Sequence, residues 1–369
     1  MKSKLESNNK VNPNIKFDLY TLNDFSKYKL CSDLSLRNTI VFNTPDVFFR
    51  EDRIKISSTK KIIKQVLEDF LQRIFMIIPK ENQKLLLNNI DSLVIKSDND
   101  CFDLVDNISF CIKNNGYESG YYDTINNEIN VISKIEYYIY KMLIKNKEKI
   151  NYKDFIEQVL SHELLHMASS FNQNGISYSG FSRVKINYDN SIGTFINEGY
   201  TEVLLSKIYS DKNYSTSGYK YEKEVAYAIE KIIGYEKMSS LYFNADFIGL
   251  TNELSKYSSI EDVKDFIDKL DRLEYLLHYI GNLRDVIKEI VDLDYKTTYF
   301  LIDLYIKKLK LENTKNDKII EKTIEYSKKI VPNILVNFNI EYDIDVEQYL
   351  QKIFYEHNLL NSKVIRKWL

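Results

Sequence analysis

Two of the chain's four histidines stand four residues apart, in Ser161-His162-Glu163-Leu164-Leu165-His166-Met167, and this stretch limits the fold more than any other. A separation of four returns to the same side of an α-helix, so both imidazoles can converge on one point. Glu163 is turned about 100° away from His162 on the same cylinder. It therefore stays out of direct contact with that point but can reach a water held there. Ile156, Leu160, Leu164, Met167 and Phe171 follow steps of three and four, and Phe155 and Val159 widen the stripe. The pattern predicts a largely buried helix, capped by Asn151 or Asp154 and ended by Asn172, Asn174 and Gly175. Two imidazoles buried on one face need partners, supplied either by hydrogen bonds in the core or by a metal ion. His-Glu-x-x-His is the spacing of zinc sites in which the glutamate serves as general base. With so few histidines, it arises by chance on the order of a few times per thousand sequences of this kind.

A second segment, Phe195-Ile196-Asn197-Glu198-Gly199-Tyr200-Thr201-Glu202-Val203-Leu204-Leu205, carries helical spacing at Ile196, Tyr200, Val203 and Leu204. Glu198 and Glu202 then lie one turn apart on the other side. Catalytic zinc commonly takes three protein ligands, two histidines and a glutamate being one set. Glu198 completes that set with His162 and His166, and Glu202 is suited to accept the free ring N–H of a ligand histidine and fix its tautomer. Gly199 costs a helix about 1 kcal/mol relative to alanine, and its bare backbone would let two helices come close around a shared ion. Without the upstream histidines, the same two carboxylates would read as a solvated helix face.

His162-Glu163-Leu164-Leu165-His166 followed by Asn197-Glu198-Gly199-Tyr200-Thr201-Glu202 resembles the gluzincin clan of zinc metallopeptidases. Thermolysin-like enzymes carry a similar asparagine-glutamate helix, and aminopeptidases of the clan a similar Asn-Glu-Gly-aromatic segment. The resemblance covers about residues 120–205. It implies zinc on His162, His166 and Glu198, Glu163 as base and Glu202 behind a ligand. It also implies a zincin-like domain, a small β-sheet lobe and a helical lobe. Glu198 follows His166 by 32 residues, a longer separation than thermolysin or those aminopeptidases use. The Gly-x-Met-Glu-Asn segment that holds a substrate amino terminus in the aminopeptidases is missing, which favours endopeptidase action.

The rest of the chain is ordinary for a globular protein. Apolar residues make up 44% and charged residues 28%, and 51 basic residues stand against 53 acidic ones, so no overall field recruits nucleic acid or an anionic membrane. Twenty-nine tyrosines are scattered rather than set beside a basic groove, which gives single-strand binding no support. Cys31, Cys101 and Cys111 form neither a disulfide framework nor a metal pair. No secretory signal and no membrane span are legible, so a cytoplasmic protein is expected, with leaderless export still open. Oligomeric state is not legible.

The expected fold class is α+β and predominantly helical, with helical extensions around the catalytic core. Residues 1–16 read as a disordered tail, 17–91 as an amino-terminal helical extension, 92–210 as the zincin-like core and 211–369 as a carboxy-terminal helical subdomain. A helix is predicted from Ser57 to Ile78 and a short one near residues 80–90. Strands are predicted at Ser92–Lys96, Ile108–Lys113 and Tyr121–Ile132, the last broken at Asn126-Asn127. Gluzincins line the cleft with an edge strand that pairs with extended substrate, and Glu128–Ser133 is a candidate for it, a plain core strand being the alternative. Residues 172–194 suggest a hairpin excursion that overhangs the metal or is a surface insertion. Helices are predicted at Tyr221–Lys237, Ile260–Ile280, Val286–Leu309, Lys318–Ile330 and Val346–His357. A group to stabilise the oxyanion is open among His278, Tyr242, Tyr257, Tyr178 and Tyr188, with His278 read rather as a helix-face histidine in an aromatic cluster and not placed in the site.

Three functions compete at this stage. The first is a zinc peptidase acting on a peptide or protein. The second is a zinc-binding module that kept the architecture without turnover, against which the intact Glu163 argues. The third is a helical interaction protein without metal, which would have to reach both motifs by coincidence.

Overall fold

A computed structural model describes residues 29–30, 40–41, 60–96, 120–131, 151–185, 191–212, 219–277, 283–330 and 346–360. The strand expected at Ile108–Lys113, the three cysteines, Tyr188 and His278 lie outside these. The described residues are mostly helical with small sheets, as expected. No described helix is long and apolar enough to cross a membrane.

Chain contacts divide the protein into two compact units. The first takes Met1–Ser191, Leu204–Ser215 and Ser239–Asp246, and the second Ile192–Val203, Thr216–Met238 and Phe247–Leu369.

In the first unit, a short ladder pairs β1 (Lys29–Leu30) with β2 (Ile40–Val41). Helix α1 (Lys60–Ile74) follows, then a 3-10 turn at Lys80–Asn82 leading into α2 (Gln83–Ser92). Strand β3 (Val94–Lys96) runs parallel to β5 (Glu128–Val131), and β4 (Gly120–Asp123) runs antiparallel to it, in the order β3-β5-β4. The edge reading of Glu128–Ser133 is therefore corrected: β5 is the middle strand, and β4 is an edge among the described residues. Asp123 explains the turn between them, since its Oδ1 accepts from the N–H groups of Ile125 at 2.8 Å and Asn126 at 3.2 Å, while Asn127 takes a left-handed φ of 53°.

Helix α3 (Tyr152–Ala168) packs on α1, α2, β4 and β5. Its start is the expected one, with Asn151 Oδ1 accepting from Asp154 N–H at 3.0 Å. Its end is not: α3 stops four residues before Asn172, and Phe171 belongs to a strand. Ser169 and Ser170 do the ending, because Ser169 Oγ donates to the carbonyls of Leu165 and His166 and Ser170 Oγ to that of Met167. Asn89 Nδ2 adds a donor to Met167 O at 2.9 Å. These bonds satisfy the carbonyls that a helix terminus leaves open, so no glycine is needed. Asn174 and Gly175, with φ of 52° and 74°, instead turn the tight hairpin between β6 (Ser170–Gln173) and β7 (Ile176–Ser179). With β8 (Ser182–Lys185) and β9 (Ser191–Ile192) these form a sheet in the order β6-β7-β8-β9, the expected excursion. Thr124 and Ser177 share a hydroxyl–hydroxyl bond that ties the β4–β5 turn to β7.

In the second unit, the first ten residues of α4 (Thr194–Ile208) join α5 (Lys220–Ile233), the opening of α6 (Tyr235–Phe243), α7 (Phe247–Leu254), α8 (Ile260–Leu277), α9 (Leu283–Leu311), α10 (Asn316–Ile330) and α11 (Val346–Glu356). The helix expected to run from Tyr221 to Lys237 breaks at Gly234, whose φ of 97° only glycine adopts without strain. Helix α5 sits amid α7, α9 and α10 through Val225, Ala226, Ala228 and Ile229, all buried. Tyr326 Oη donates to Ala228 O at 3.1 Å. Asp294 on α9 accepts from Tyr221 Oη, and burial pushes its carboxyl up to about 6. His357 Nε2 lies 2.8 Å from Asp303 Oδ1, holding the segment after α11 to α9.

Gly199 does bring two helices together, but the partner is α5. A Cβ there would stand 2.1 Å from Glu222 O and 3.0 Å from Ala226 Cβ. The obstacle is backbone, so it cannot swing aside. Gly199→Ala, which helix propensity alone would make favourable by about 1 kcal/mol, is expected to destabilise by about 2 kcal/mol or more in chemical denaturation.

Candidate metal centre

Helix α3 places His162, Glu163 and His166 in the interior, each at most 7% exposed. The burial is uniform from Ser161 to Ser170, because Leu164, Leu165, Met167 and Ala168 fill the faces that the polar residues leave. The Nε2 atoms of His162 and His166 approach to 3.0 Å, with the rings 4.7 Å apart and steeply inclined at 70°. Two ring nitrogens this close are joined by one proton or share a cation.

Glu198, half-buried on α4, supplies a carboxylate, and its ligand atom and those of the two histidines all lie within 4.8 Å of one another. No other such group of three occurs among the described residues. Tetrahedral zinc with Zn–N bonds of about 2.0–2.1 Å separates its ligand atoms by roughly 3.3 Å, so groups within 4.8 Å of one another need only small side-chain shifts to share one ion. Two neutral nitrogens and one carboxylate oxygen suit zinc better than magnesium or calcium, which prefer oxygen alone. The residues therefore fit the ion. Glu202, one turn beyond Glu198, is buried, as an internal partner to a ligand must be.

The neighbourhood of Glu163 is set by a residue the sequence reading passed over. A Cβ on Gly120 of β4 would meet Val159 Cγ1 at 2.7 Å, the carbonyl of Asn130 at 3.0 Å and Glu163 Cγ at 3.6 Å. Only glycine lets this strand lie against the helix beside Glu163. The signal, a glycine opening a predicted strand, was legible but ambiguous between a turn and a close approach.

Ser161, directly before His162, was also passed over. Its hydroxyl lies 2.9 Å from Tyr209 Oη, and both groups are buried. Arg73 and Lys212 flank the Tyr209 ring at 4.8 Å and 4.9 Å, and Arg73 Nη1 donates to Ile208 O at 3.1 Å. Lys212 also pairs with the buried Glu157 of α3 at 2.5 Å. Burial raises the Tyr209 hydroxyl well above its ordinary range, so it stays a neutral partner for Ser161. These contacts join the end of α4 to the middle of α3 within the first unit.

Helix α4 begins at a second anchor. Gly193 N–H donates to Asp271 Oδ2 at 2.7 Å and Phe195 N–H to Oδ1 at 3.4 Å. Burial pushes the Asp271 carboxyl up to about 6, against the opposing pull of those two N–H groups, so the group is ionised at neutral pH. Of the residues considered for an oxyanion, Tyr242 is fully buried with its ring edge-on to Phe181 and Phe243, and Tyr178 stacks on Phe171 at 4.8 Å. Tyr257 is partly buried just beyond α7, and burial raises its hydroxyl. Tyr122 accepts from Ser170 Oγ and donates to Asn127 Oδ1, and burial pushes it up to about 12.

Comparison with protein-family models, with curated proteins and with solved structures returns no match.

If the Ser161–Tyr209 bond anchors α3, its loss should be measurable. Tyr209→Phe strands a buried hydroxyl and is expected to cost about 1–2 kcal/mol. Adding Ser161→Ala should cost less than the sum of the single changes, the coupling being read from a double-mutant cycle in urea.

Proposed function

We propose that the protein is a zinc-dependent peptidase of gluzincin type that cleaves internal bonds of a peptide or protein. The observation that carries this reading is the approach of His162, His166 and Glu198, within 4.8 Å at their ligand atoms, with buried Glu163 next in the chain to the first of them. A purely structural ion would be held by the three ligands and would have no use for that glutamate. The placement of α3 against the small β3-β5-β4 sheet, with a second ligand helix downstream, supports a zincin-like domain.

Bound zinc would lower the pKa of its water toward about 7 and polarise a scissile carbonyl. His162 and His166 would hold the ion through neutral imidazoles. Glu163 is placed to take a proton from the attacking water and deliver it to the leaving amine, with no net change in its own protonation over the cycle. Glu202 would accept the remaining N–H of a ligand histidine and so fix its tautomer. The strand suited to hold an extended substrate is β4, an edge among the described residues, with Gly120 lying against Val159 and Glu163.

The two glutamates should fail in different ways. Glu163→Gln is expected to keep zinc and fold while cleavage of a peptide library falls by about 10²–10⁴-fold. Glu202→Ala is expected to weaken zinc by about 10–100-fold, with activity recovered in excess metal. Parent protein that binds zinc but cleaves nothing in the library would favour the non-catalytic zinc module instead. Full cleavage by Glu163→Gln would overturn the assignment of the base.

A further inference from the structure

Helix α4 carries the proposed third ligand and begins at a glycine. Gly193 occupies the capping position, since its carbonyl accepts the first helical bond from Asn197 N–H at 3.0 Å. A glycine has no oxygen to offer the exposed N–H groups of the first turn, and this one takes a φ of 79°, where other side chains are strained. The missing acceptor arrives from α8. Both oxygens of Asp271 are engaged, one by Gly193 N–H at 2.7 Å and one by Phe195 N–H at 3.4 Å. A carboxylate here also faces the positive end of the helix dipole.

The same turn is fixed on its other sides within the second unit. Phe195 packs edge-on against Tyr221 at 5.7 Å, and Tyr221 is in turn bonded to Asp294. Tyr200 Oη donates to Glu230 Oε2 at 3.1 Å. Gly199 lies against the backbone of Glu222. Packing and side-chain bonds thus fix the helix against sliding and turning, and Asp271 closes the backbone of its first turn. Glu198 stands five residues past Gly193, where the first complete turn passes into the second.

We infer that Asp271 is a positioning residue for metal binding: by capping α4 from a distant part of the chain, it holds Glu198 in place before the ion arrives. The inference rests on the zinc reading given above. A carboxylate ligand on an ordered helix binds without further loss of freedom, whereas one on a frayed turn must be ordered by the ion at the expense of affinity. Helix α8 then acts on the site through a side chain that bonds the backbone at the start of α4.

The experiment measures zinc dissociation constants by chelator competition at one pH for the parent, Asp271→Ala, Asp271→Asn and Ile320→Ala. Ile320 is fully buried in α10 and serves as a control for general loss of stability in the same unit. Asp271→Ala is expected to bind zinc about 5- to 30-fold more weakly, the range that loss of a helix cap converts to. Asp271→Asn keeps one acceptor and should fall between parent and alanine, while Ile320→Ala should match the parent despite a lower melting temperature. Parent-like affinity in Asp271→Ala, or an equal loss in Ile320→Ala, would overturn the positioning role and leave the zinc site standing. If the alanine variant does not fold, Asp271→Asn decides: weakening by about threefold or more supports the role, and parent-like affinity overturns it. A parent with no affinity for zinc would remove the site and this inference together.

Discussion

The middle of α3 holds two imidazoles that have been taken out of water and pressed to 3.0 Å from each other. Burying polar rings on one helix face costs free energy unless each nitrogen finds a partner. A cation answers the demand of both Nε2 atoms at once and recruits a third, anionic ligand, which Glu198 is near enough to be. The uniform burial of α3 from Ser161 to its end gives these groups a dry surround, the kind that strengthens an ion site.

Such a cluster works only if two helices are held in register, and the chain spends its polar side chains on that task. Helix α3 is fixed at its start by Asn151, at its middle by Ser161 with Tyr209, and at its end by Ser169, Ser170 and Asn89. Helix α4 is fixed at its start by Asp271 and at its end by Arg73. Apart from the exposed Asn151 cap, these anchors satisfy backbone or hydroxyl groups at buried or half-buried positions, so stability and site geometry have the same source.

The candidate site was legible in the sequence because a local rule, helical periodicity, places His162, Glu163 and His166 without any knowledge of the fold. Glu198 needed a chemical argument as well, since a lone glutamate on a helix means little. What could not be read was anything decided by long-range contact. The sequence marks Asn174 and Gly175 as a stop, but Ser169 and Ser170 end α3 first and the Asn-Gly pair turns a hairpin. It marks Gly199 as a site of close approach without saying that Glu222 is what approaches. Asp271 is one aspartate in an acidic helix until the fold brings it to Gly193. The order β3-β5-β4 was likewise hidden, because strand sequence fixes which faces are apolar and says little about which strand lies outermost.

The central claim is that His162, His166 and Glu198 bind one zinc ion, and X-ray absorption at the zinc edge tests it most directly. Protein loaded with one equivalent should show two imidazole nitrogens at about 2.0–2.1 Å and carboxylate or water oxygen at about 2.0–2.2 Å, with one imidazole contribution lost in His162→Ala. A zinc ion surrounded by oxygen alone, or a spectrum unchanged by His162→Ala, would contradict the account.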